Sequence, residues 1–100
     1  MEAKVRLGQV VMTAAVNDRV ADDEPFAIMV LDSLKRHARG DWGDTCKADK
    51  KLNDESVKDG GRLMSVYYID PEQGKRTGNV IWIITECDHS VTTILYPEDY

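Results

Sequence analysis

The chain has no unbroken apolar run approaching the roughly 18 residues that a membrane-spanning helix requires, and no basic-then-apolar leader ending in small residues. A cytoplasmic protein, with no membrane partner, is the expectation. Cysteine is scarce. Cys46 and Cys87 are widely separated, which excludes a dense disulfide framework and makes free thiols the simplest state in a reducing compartment. Cations are outnumbered as well, with 13 Lys and Arg against 18 Asp and Glu for a net charge of −5. A field of that sign repels phosphate and disfavours non-specific binding of nucleic acid, while attracting a basic protein surface. The glycine clusters GDWG and DGG lack the strand, loop and helix grammar of a nucleotide fold, so no cofactor is implied.

What is present is the material of one small domain. Residues 1–100 are 42% apolar and 31% charged, too apolar for a disordered chain. A chain of this length buries roughly two-thirds of its unfolded surface, enough for one core without metal or disulfide staples. Val5 to Thr13 carries β-branched residues in imperfect alternation and reads as a strand, with Gly8 as a bulge or close-packing point. Ala14 to Val20 reads as a single helical turn. From Glu24 to Arg39 the residues Phe26, Ala27, Val30, Leu31, Leu34 and Ala38 recur at three- and four-residue spacing and predict a long amphipathic helix. The acidic pair Asp22 and Asp23 offers its cap, Pro25 suits its first turn, and Gly40 stops it.

Cys46 to Lys58 predicts a second helix, capped by Asp44 or Thr45 and poor enough in apolar residues to lie on the surface. Asp59-Gly60-Gly61 breaks it. Leu63 to Ile69, Asn79 to Glu86 and Ser90 to Tyr96 then read as strands whose short connections favour antiparallel neighbours. The order β-α-α-β-β-β predicts an α+β fold: an antiparallel sheet, one long helix packed on a face, and a second helix at the surface. The segment Asp70 to Gly78 and the tail Pro97 to Tyr100 are the expected mobile parts.

Few residues suggest chemistry. His37 lies at the boundary of the long helix's apolar stripe, where a histidine commonly caps a nearby carbonyl; its alternative role is general base, because imidazole titrates near neutrality. Metal-independent RNA cleavage would add Arg62 for the phosphate and Thr92 or Thr93 as a strand-borne polar group. Alternation sends the two threonines to opposite faces, so one at most can join a given site. Cys46, Cys87, His37 and His89 have spacings that match no closed zinc site, and no metal is expected. In the stretch RHARGDWGD, Trp42 is expected to fold back as a buried corner between Gly40 and Gly43, with Asp41, Trp42 and Asp44 as the residues nominated for binding should that surface meet a partner. The numerous loop and helix-surface carboxylates read as a solvated surface, with phosphate mimicry as the alternative.

Taken together, RHARGDWGD, NDESVKDGGRLMSVY and IWIITECDHSVTTILYPEDY resemble a family of small proteins carried on bacterial plasmids and other mobile elements, over nearly the whole chain. Members are labelled plasmid-related proteins or a type I restriction subunit M, although a methyltransferase subunit needs a far larger cofactor-binding fold. The resemblance implies an acidic accessory protein that binds a host or defence-system protein, with an anti-defence or anti-restriction role. A second likeness is architectural. A histidine-bearing helix before an antiparallel meander is similar to the barnase, EndoU and RelE-type RNases, which would make His37 the base, Arg62 the phosphate contact and Thr92 or Thr93 the polar partner. Self-association as a structural module is the third expectation.

Overall fold

The computed structural model describes residues 4–100. Its elements run β1 (Gln9–Met12), α1 (Ala14–Asp22), α2 (Glu24–Ala38), α3 (Lys47–Asp59), β2 (Leu63–Tyr68), β3 (Val80–Thr85) and β4 (Val91–Leu95), with short 3-10 turns at Pro71–Gln73 and Pro97–Asp99. The α+β class is as expected. The helical layer differs in one respect: Ala14–Asp22 is a nine-residue helix and not a single turn. Val16 and Val20 are its only apolar residues larger than alanine, which conceals it in sequence, but Val16 is fully buried against the core.

The helix boundaries follow local chemistry. Asp23 separates α1 from α2, its carboxylate accepting the Phe26 amide at 3.1 Å while Pro25 occupies the first turn. At the other end Gly40 takes a φ of 84°, a left-handed value that suits glycine. For α3 the cap differs from expectation. Cys46 holds the N-cap position without a side-chain bond, because Asp44 and Thr45 are turned toward β2, as described below.

The sheet order is β1-β4-β3-β2. Strands β2, β3 and β4 form the expected antiparallel meander, but β1 lies parallel to β4, with Gln9 beside Val91 and Met12 beside Ile94. The sheet is therefore mixed. Short connections force antiparallel pairing only between strands that they join, and β1 is separated from β4 by all three helices and both other strands.

Alternation divides the sheet into two unlike faces. Leu63, Ser65, Tyr67, Ile81, Ile83, Thr85, Thr92 and Ile94 are buried on one face, where Val16 of α1 and Phe26 and Val30 of α2 complete the main core. A smaller cluster of Val5, Trp42 and Leu63, flanked by Val57 of α3, closes one end. Among the described residues no helix lies across the opposite face, which the first turn of α3 and the turn Pro97–Asp99 border. The two segments expected to be mobile are tied down: the Asn79 side-chain amide donates to the Asp70 and Gly74 carbonyls at 2.8 Å, and Tyr100 packs edge-on against Trp82.

Candidate functional site

His37 is brought by the last turn of α2 to the inner face of the sheet, where it is 0% exposed. Its Nδ1 lies 2.6 Å from Ser65 Oγ and its Nε2 2.9 Å from Thr85 Oγ1. Thr85 Oγ1 is 2.8 Å from Thr92 Oγ1, which donates to the Leu7 carbonyl at 2.7 Å. That carbonyl can only accept, so Thr92 spends its one proton on Leu7, Thr85 donates to Thr92, and His37 Nε2–H donates to Thr85. With its proton on Nε2, the neutral imidazole accepts at Nδ1 from the Ser65 hydroxyl. Burial pushes its pKa down from 6.5 to about 4, with a smaller contribution from His89.

This arrangement separates the residues nominated for RNA cleavage. His37 and Thr92 share the buried chain, Thr93 lies on the opposite sheet face, and Arg62 is exposed, bonding the Tyr100 hydroxyl at 3.0 Å and facing Glu86 at 3.6 Å. In this arrangement a base with no exposed surface and both nitrogens occupied cannot reach a 2′-hydroxyl. The four do not converge on one concavity, which that chemistry needs.

The stretch after α2 is a structural corner. Trp42 is 4% exposed and its indole N–H donates to Asp54 of α3 at 2.9 Å, while its ring meets His37 edge-on at 5.6 Å. Asp41 accepts from Arg36 at 2.8 and 3.2 Å and from the Gly43 amide at 3.1 Å, and the arginine holds its carboxyl below the usual range. Asp41 and Trp42 are thereby committed within the fold. The next residues seal the outer edge of β2. Asp44 N–H donates to the Val66 carbonyl at 2.6 Å, and the Asp44 carboxylate takes the Tyr68 amide at 2.9 Å. Thr45 takes the Val66 amide at 3.1 Å, and Asn53 of α3 makes both bonds to the Met64 backbone.

One concavity lies on the helix-free sheet face. It is a groove of about 560 Å³ floored by Met64, Val66, Tyr68, Val80 and Trp82, with Asp44, Cys46 and Asp49 along one wall and Lys75 and Pro97 on the other. Of the three residues nominated for binding, only Asp44 reaches it. β3 is apolar on both sides; one side is covered by helices, and Val80 and Trp82 on the other supply part of the groove floor. Tyr68 and Trp82 gave no separate signal, because alternation marks a face as apolar without saying what covers it.

Chemically the groove offers aromatic and aliphatic surface with carboxylates and one amine at its rim. Cys46 is an exposed free thiol with no imidazole among the lining residues to activate it. Among the described residues no group of three His, Cys, Asp or Glu side chains is placed to hold a metal ion. No helix among them is long and apolar enough to cross a membrane. Comparison with protein-family models, with curated proteins and with solved structures finds no match to this chain.

Proposed function

We propose that this chain is a non-enzymatic protein-binding module that receives a short apolar segment of a partner in the groove on the open face of its sheet. The observation that carries the reading is the groove itself, an apolar floor with Tyr68 and Trp82 beneath acidic Asp44 and Asp49. Aromatic surface within a concave patch is the usual anchor of a protein interface. The rim carboxylates and the net charge of −5 select a partner segment with an apolar centre and flanking Lys or Arg. The partner class that fits the family resemblance is a host or defence-system protein met by an accessory protein of a mobile element.

The test is calorimetric binding of a peptide panel with a constant apolar centre and basic, neutral or acidic flanks. Basic-flanked peptides should bind best, and Trp82→Ala should weaken them at least about tenfold, a loss of roughly 1.4 kcal/mol. Equal binding of all flanks, or no effect of Trp82→Ala, rejects the reading.

A further inference from the structure

The two edges of the sheet are finished in opposite ways. At the β2 edge the outward backbone groups of Met64, Val66 and Tyr68 are bonded by Asn53, Asp44, Thr45 and the Trp42 carbonyl. At the β1 edge the Gln9 and Thr13 amides donate inward, to Ser90 and Ile94 of the β4 side. Strand alternation then turns the N–H and C=O groups of Val10 and Met12 outward. Among the described residues no strand pairs with them. Shortness is the one usual protection of an open edge here, for Gln9–Met12 carries neither a charge nor a proline. Val10 and Met12 are instead exposed apolar side chains, at 40% and 37%.

We infer that β1 is a self-association edge that pairs antiparallel with β1 of a second copy, joining two four-stranded sheets into one of eight strands. The two-fold axis passes midway between the two Val11 residues. Outward-facing residues must oppose each other in an antiparallel ladder, so Val10 of each copy faces Met12 of the other and four backbone hydrogen bonds form. The same register sets Val10 and Met12 of both copies together as an apolar cluster and opposes Gln9 to Thr13. Beyond the ladder it opposes Gly8 to Ala14, two exposed small residues that leave the ends unobstructed. Charge agrees with this choice of occupant: the end of one strand near exposed Arg6 approaches the end of the other where Asp99 accepts from Thr13 at 2.8 Å. So short a ladder falls well below the roughly 1,600 Å² of a standard interface, so the dimer is weak and concentration-dependent. The inference is independent of the groove.

Sedimentation equilibrium tests it directly. The average mass of the wild-type chain should rise from one chain toward two as concentration increases to about 1 mM, and Val10→Lys should raise the dimer dissociation constant at least about tenfold. Leu31→Lys, on the exposed side of α2, should change nothing. Amide exchange of the wild type supplies a readout that needs no variant: the Val10 and Met12 amides should gain protection with concentration. A wild-type chain that stays single throughout overturns the inference. So does a dimer in which those two amides stay unprotected, or one that Val10→Lys leaves intact.

Discussion

At the scale of single residues, the buried chain from Ser65 through His37, Thr85 and Thr92 to Leu7 makes stability sensitive to pH. Unfolded, His37 titrates near its ordinary 6.5; folded, it titrates near 4. Between those values the unfolded chain binds the extra proton, so stability falls as pH drops from 6.5 to 4 and is unaffected by His37 above 6.5. The full loss is about 3 kcal/mol. Denaturant midpoints of wild type and His37→Gln across that range check it, since their difference cancels the carboxylates. A second prediction concerns Thr92→Val, which removes the donor to Leu7 and the acceptor of Thr85 in a fully buried site. It should cost about 1–3 kcal/mol, while Thr93→Val on the other face stays within about 0.5 kcal/mol; chemical denaturation distinguishes them. His37 was recognisable in sequence as a residue at the edge of an apolar stripe. Its partners were not, because Ser65 and Thr85 are 28 and 48 residues away and only the sheet register brings them to it.

At the scale of elements, α3 is a surface helix that acts as an edge guard. Its apolar residues are few and Leu52 is exposed, yet Asn53 is buried and bonds the Met64 backbone twice. Asn53→Ala should therefore cost about 1–3 kcal/mol and speed exchange of the Met64 amide, which a proton-exchange measurement by NMR reads residue by residue. Gly43 is equally constrained. It sits at φ 69° and an added Cβ would run into the Val66 carbonyl and the Tyr67 ring, so alanine there combines backbone strain with collision. The long helix was legible because its apolar period, its capping aspartate and its terminal glycine agree. The edge-sealing role of Asp44, Thr45 and Asn53 was not, since each reads locally as a cap or a helix-surface residue. The parallel bridge between Gly43 and Val66, with the Asp44 and Thr45 bonds beside it, shows that this connection runs along a strand.

At the scale of the whole molecule, helices on one side of a mixed sheet leave the other side to be used, and this asymmetry was the least legible property of the sequence. Composition and periodicity predict strands and helices separately, but the parallel entry of β1 and the helix-free face arise from how α1 and α2 pack together on one side while α3 runs along the β2 edge. The net charge of −5, by contrast, is readable at once and acts at long range. The two properties divide the kinetics of the proposed binding between them. Net charge attracts a basic-flanked segment before contact, so the association rate should fall as salt rises from about 10 mM to 150 mM, as the screening length contracts from ~30 Å to ~8 Å. The groove floor acts only after contact, so Trp82→Ala should speed dissociation with little change in association. Asp49→Asn should do the reverse, slowing association at low salt and converging with wild type at high salt. Stopped-flow measurement of both rates against ionic strength decides the matter: a salt-independent association rate would show that the acidic surface does no steering, and a Trp82→Ala effect confined to association would remove the aromatic floor as the anchor.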